Sequence, residues 1–114
     1  MEKKYKTLED FYPYYLTEHR NDTSRWLHFV GTCLAVLMLL YGLFSGRFWF
    51  CLGAVFCGYF FAWVGHFFFE KNRPATFVYP GLSLASDFIM AWDIITGQLP
   101  SKMKSAKEKF GIVE

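Results

Sequence analysis

Residues 29–46 read FVGTCLAVLMLLYGLFSG and residues 48–65 read FWFCLGAVFCGYFFAWVG. Neither run holds a charged side chain, and each is 18 residues long. As an α-helix, such a run rises about 27 Å, close to the thickness of a bilayer's hydrocarbon core. A buried core helix would read the same way singly, but two full-length apolar runs side by side favour two membrane spans. Only Ser45, Gly46 and Arg47 are available to turn the chain between them, so the expected arrangement is an antiparallel hairpin. Trp26, Trp49 and Trp63 stand near the ends, where amphipathic rings favour the membrane interface. Small residues, Gly31, Ala35 and Gly42 on one run and Gly53, Ala54, Gly58 and Ala62 on the other, would let the two backbones approach closely.

The rest of the composition agrees. In 114 residues, 54% are hydrophobic and 22% aromatic, more than a soluble unit of this size can cover. A net charge of +2, with no basic run interleaved with aromatics, argues against a nucleic-acid partner. Cys33, Cys51 and Cys57 all fall inside the apolar runs. Their odd number and the absence of a CxxC pair point to small apolar residues, not to a disulfide framework or a zinc ribbon. The first 28 residues contain no apolar stretch of the signal-peptide kind, so the first run is expected to act as its own insertion signal. Of the twelve Lys and Arg, eleven lie on the terminal sides of the two runs and only Arg47 at the turn. The positive-inside rule then places both termini in the cytoplasm, at a bacterial inner membrane or at the endoplasmic reticulum of a eukaryote.

The expected fold is all-α and integral to the membrane, a single domain over residues 1–114. Its parts are a juxtamembrane segment 1–28, spans 29–46 and 48–65, a connecting loop 66–81, an interfacial or partly inserted helix 82–97 and a basic tail 98–114. In the first segment Thr7, Glu9 and Asp10 mark a helix start. Phe11, Tyr12, Tyr14, Tyr15 and Leu16 follow, with Pro13 suggesting a bend, and the segment is expected on the membrane surface. Asn21, Asp22 and Ser24 read as a turn and helix cap ahead of Arg25. Pro74 and Pro80 argue for an irregular connection. The stretch LSLASDFIMAWDIIT (82–96) is apolar yet holds Asp87 and Asp93, and Gly97 ends it. Those aspartates are functional candidates if inserted, or else cap the helix or pair with Lys71, Arg73 or Arg25. The lysine-rich tail from Pro100 reads as solvated or resting on anionic headgroups.

His19, His28 and His66 are the three histidines of the chain. His28 comes one residue before the first apolar run and His66 one residue after the second, so an antiparallel pair sets them at the same depth. His19 lies nine residues upstream of His28 on the same side. A single histidine there is more often an interfacial side chain than a ligand; three converging ones point to a metal site. Imidazole suits zinc, copper, iron and nickel, and spacing does not choose among them. The HExxH motif is absent, which removes the commonest zinc-protease reading. Glu70 follows His66 by four positions, about 40° around a helix. It is the candidate catalytic carboxylate, as a ligand or as a group orienting a histidine. Arg20 and Arg73 are candidates to hold a substrate carboxylate, against the commoner role of snorkelling cations.

Two blocks, FYPYYLTEHRNDTSRWLHFVG (11–31) and WVGHFFFEKNRPATF (63–77), resemble the paired signatures of the membrane-bound 2-hydroxy fatty acid dioxygenases of fungal α-oxidation and their short bacterial relatives. The second is the more specific: Gly65, His66, Phe69, Glu70, Lys71, Arg73, Pro74 and Ala75 match the family's GHxxFEKxRPA pattern. Together the blocks cover about a third of the chain. Longer eukaryotic members carry more membrane sequence between the blocks, with a further histidine that this chain lacks. The resemblance implies an iron(II) enzyme that shortens a 2-hydroxy fatty acid by one carbon with O2, with His19, His28 and His66 on the family's histidine positions. Membrane lipids are then partners, and an oligomer is possible. Two other classes compete: a haem or electron-transfer protein with His28 and His66 as axial ligands, and a non-catalytic membrane scaffold with interfacial histidines. Diiron lipid hydroxylases and desaturases consume many more than three histidines and are disfavoured.

Overall fold

The computed structural model describes residues 4–113, and every regular element among them is helical. The first helix, α1 (Leu8–Thr17), starts where Thr7 Oγ1 accepts the Asp10 N–H at 3.2 Å. It runs through Pro13 without ending. Proline there forfeits one hydrogen bond near the helix start, and the burial of Phe11, Tyr15 and Leu16 on one face offsets the cost.

The second helix, α2 (Asp22–Ser45), is capped by Asn21, whose Oδ1 accepts the Ser24 N–H at 3.1 Å. This cap is the one expected from the sequence. The helix therefore begins seven residues before the apolar run, and His28 sits in its second turn instead of on a flank. Gly46 ends it with a left-handed φ of 74°, which glycine adopts without a Cβ penalty. The third helix, α3 (Trp49–Val64), passes without a break into a π-helical turn, Gly65–Glu70. That turn closes where the Asn72 N–H donates to the His66 carbonyl at 3.0 Å, with Lys71 in a left-handed conformation.

The contacts between α2 and α3 run in opposite order along the two helices: Gly31 faces Phe61, Ala35 faces Gly58, and Gly42 faces Cys51. Asp22–Ser45 and Trp49–Glu70 are both long and apolar enough to cross a membrane. The rest of the chain covers little of them, since only 17% and 22% of their most apolar windows are buried. A soluble protein rarely leaves so large a contiguous apolar surface uncovered.

A 3-10 turn (Ala75–Phe77) leads to α4 (Pro80–Thr96), and α5 (Leu99–Lys109) completes the chain. The core lies among α1, α4 and α5, where Phe11, Tyr15, Leu16, Met90, Leu99 and Met103 meet. Two expectations change here. The lysine-rich tail is not simply solvated: Leu99, Met103 and Ala106 recur at helical spacing and are buried, which makes α5 one wall of the core. The apolar face of α1 is likewise taken up by protein and not left for a membrane surface. Asp93 pairs with none of Lys71, Arg73 and Arg25. Its Oδ1 accepts from Lys102 Nζ at 2.9 Å and its Oδ2 from the Tyr12 hydroxyl at 2.6 Å, because α5 folds back beside it.

Candidate metal centre

His19 follows the end of α1, His28 lies in α2 and His66 in the π-turn, and all three are buried. Their ring centroids are 4.4, 4.5 and 4.9 Å apart. One ligand atom from each lies within 4.8 Å of the other two. Close approach of the elements makes this possible: a Cβ at Gly65 would stand 2.8 Å from Ser24 Oγ, so only glycine lets the π-turn come this near the start of α2.

The protons on these rings follow from their partners. His19 Nδ1 lies 2.6 Å from the Tyr15 carbonyl oxygen, which can only accept, so Nδ1 carries the proton. His66 Nδ1 lies 2.6 Å from Asn72 Oδ1. The orientation of that amide is fixed because Asn72 Nδ2 donates to the Glu18 carbonyl at 3.1 Å and to Glu18 Oε2 at 2.8 Å, both acceptors. His28 Nδ1 faces Asp87 Oδ1 at 3.5 Å, and the Tyr15 hydroxyl donates to the same oxygen. The Nδ1 atoms of His19 and His66 thus donate to oxygens, the arrangement that fixes tautomer and ring direction in metal-ligating histidines, while His28 Nδ1 faces its carboxylate at a longer distance. The Nε2 atoms of His19 and His66 are left with a lone pair.

His19 Nε2 and His28 Nε2 are 3.1 Å apart, a hydrogen-bond distance when His28 carries its proton on Nε2. With the His28 proton on Nδ1, toward Asp87, both Nε2 lone pairs are free to meet one cation. Two nitrogens bound to one ion at about 2.1 Å and at right angles sit about 3.0 Å apart, so the donor set fits a metal ion. Burial, and then the neighbouring His28 and His66 rings, push the His19 imidazole well below its ordinary range and keep it neutral. Burial and the adjacent Asp87 carboxylate push the Tyr15 phenol well above its ordinary value, so its hydroxyl stays a donor.

The space beside the imidazoles is about 10 Å³, room for an ion or a single water and far too little for a macrocycle. Axial haem ligands must also stand on opposite faces of a porphyrin, which rings 4.9 Å apart do not. The haem arrangement of His28 and His66 is therefore absent.

Of the other sequence candidates, Glu70 lies elsewhere: its Oε1 accepts the Asn21 backbone N–H at 2.7 Å and ties the π-turn to the start of α2. Arg20 and Arg73 are exposed, and neither borders the space beside the imidazoles. Arg20 Nε donates to the Thr17 carbonyl at 3.0 Å. Asp87, an open question in the sequence, is at the site. Three participants carry little sequence signal: Asn72, Glu18 and the backbone carbonyl of Tyr15. Asn72 falls at an unspecified position of the GHxxFEKxRPA pattern, and a carbonyl has no side-chain signature at all.

Comparison with known families matches residues 5–99 to the family described as 2-hydroxy-palmitic acid dioxygenase Mpo1-like. Comparison with curated proteins and with solved structures finds no significant match in either.

Proposed function

The chain belongs to the 2-hydroxy-palmitic acid dioxygenase Mpo1-like family, and on that premise we propose that it is an iron(II)-dependent dioxygenase that shortens 2-hydroxy fatty acids by one carbon. The observation that carries this reading is the buried cluster of His19, His28 and His66, with one ligand atom from each within 4.8 Å of the other two. Iron(II) held by His19, His28 and His66 would supply the redox chemistry by which O2 reacts with a hydroxy acid. Three neutral imidazoles add no charge of their own, so an anionic chelate of carboxylate and hydroxyl oxygens is the complementary partner. The overall reaction balances as RCH(OH)COOH + O2 → RCOOH + CO2 + H2O. The bond between C1 and C2 breaks, and the substrate supplies the four electrons that O2 takes up, so no separate reductant is required.

The surrounding residues hold this geometry. Tyr15 and Asp87 orient His28, Asn72 and Glu18 orient His66, and the Tyr15 carbonyl orients His19. Glu70 is a positioning residue that fixes the backbone between His19 and His28 through Asn21. Arg20 and Arg73 serve at the outer rim, where they meet the substrate carboxylate as it arrives from the interface. The α2–α3 pair spans the bilayer as a hairpin of a single membrane domain, with both termini and the histidine layer on the cytoplasmic side. The exposed stripe Leu84, Phe88, Trp92 and Ile95 of α4 rests in the interface against membrane lipid.

The test is turnover of a 2-hydroxy fatty acid by purified, iron-loaded protein under ¹⁸O-labelled O2. The expected product is the acid one carbon shorter with label in its carboxylate. Protein that holds iron and leaves the hydroxy acid intact under oxygen overturns the enzymatic reading.

A further inference from the structure

An apolar groove of about 370 Å³ leaves the histidine layer and runs between α2 and α3. It shares His28, Tyr59, Ala62 and Asp87 with the small space beside the imidazoles, so the two adjoin at that end. We propose that this groove is a chain-length gauge that seats the substrate's acyl tail, with Leu39 and Cys51 setting its far end. The inference rests on the substrate class proposed above.

The groove exists because its floor is made of small residues: Ala35 from α2, and Ala54, Gly58 and Ala62 from α3. Larger side chains stand around them. Val36 and Val55 form its sides, and Leu84 and Phe88 of α4 cover the half nearest the histidines. The two carboxylate-facing ends of the walls are His28 and Ala62; the two nearest the turn are Leu39 and Cys51. On each helix these are eleven residues apart, or about 16 Å. An extended chain advances about 1.2 Å per bond, so the groove takes about thirteen bonds. With C1 and C2 at the imidazoles, the best-fitting acid has about fifteen carbons. The occupant is a tail anchored at one end by its polar head, because the groove opens onto Asp87 and His28 at one end only. A bilayer lipid lodged sideways has no such anchor and would show no preferred length.

The test is a binding series on detergent-purified full-length protein, in which 2-hydroxy acids from hexanoic to stearic displace a fluorescent fatty acid. Wild-type affinity is expected to rise about four-fold per added methylene and to level off near about fifteen carbons. Gly58→Leu blocks the groove four residues beyond Ala62, about 6 Å in, and moves the break to about seven carbons. A Cβ at Gly58 meets only Ala35 Cβ at 3.8 Å, so the backbone there has room for one. Leu39→Trp moves the break by about two to three carbons and provides the answer if Gly58→Leu does not fold. Leu37→Trp, on the exposed face away from the groove, leaves the profile as in the wild type. A break that ignores Gly58→Leu and Leu39→Trp, or an affinity that climbs steadily through the longest acid, overturns the proposal. Because binding needs no turnover, the two readings fail separately. A break that moves as stated while O2 leaves the acids untouched keeps the gauge and removes the reaction. Oxygenation with an unmoved break keeps the reaction and removes the gauge.

Discussion

Two tyrosine–aspartate links join α1 to α4, and they end differently. Tyr12 donates to Asp93 at 2.6 Å, and Lys102 completes that carboxylate with an ion pair at 2.9 Å. Tyr15 donates to Asp87, and Asp87 instead faces His28 Nδ1. The same pair of residue types therefore serves two purposes. At Asp93 the charge is matched within the protein and the result is a clamp between α1, α4 and α5. At Asp87 the carboxylate is turned toward an imidazole, and its value lies in where it aims that ring. A buried acid on this helix is therefore read by its second partner, not by its burial.

The largest expected effect separates the two links. Asp93→Ala strands Tyr12 and Lys102 and should cost about 2–3 kcal/mol, below the value for a fully buried pair because Lys102 can rehydrate. Denaturant unfolding in detergent measures it, and metal content should not change. Asp87→Asn should do the converse, weakening metal binding about 10–100-fold while metal-free stability moves by less than about 1 kcal/mol. Metal titration beside the same unfolding curve checks this. Metal lost from Asp93→Ala and kept in Asp87→Asn would mean that the two carboxylates do not divide the work in this way.

Asn72→Ala releases the His66 ring from its one oriented acceptor, and an affinity loss of about 10-fold is expected by the same titration. Tyr15→Phe removes a single hydrogen bond to Asp87 while keeping the packing, for about 1 kcal/mol of stability. The smallest effect is that of pH on the metal-free protein. The His19 pKa in the fold lies well below the ordinary 6.5, so the unfolded chain binds a proton that the folded one does not. Stability from this group is full above about pH 6.5 and declines as pH falls from there toward the folded value. A metal-free melting temperature that rises on mild acidification would contradict the neutral imidazole.

Much of the site was legible in the sequence because the arithmetic was coarse. Two uncharged runs with a three-residue link put His28 and His66 at one end whatever the detailed packing, and the chain has only one other histidine. The details that the sequence left open depend on tertiary placement. The helical spacing of His66 and Glu70 assumes 3.6 residues per turn, and the π-turn breaks that assumption. Asp93 finds Lys102 only because α5 returns to α1, and the lysines of that helix mask the Leu99–Met103–Ala106 stripe that drives the return. Asn72 carries no pattern of its own, because a loop amide becomes an orienting group only when Glu18 fixes its rotation.

The most direct test of the central claim, that three imidazoles hold one ion, is elemental analysis of detergent-purified wild type beside His66→Ala after equal loading with Fe(II). The expected result is close to one iron per chain in the wild type and loss of most of it in His66→Ala, with helix content unchanged by circular dichroism. Equal iron in the two proteins, or none in either, would contradict the account.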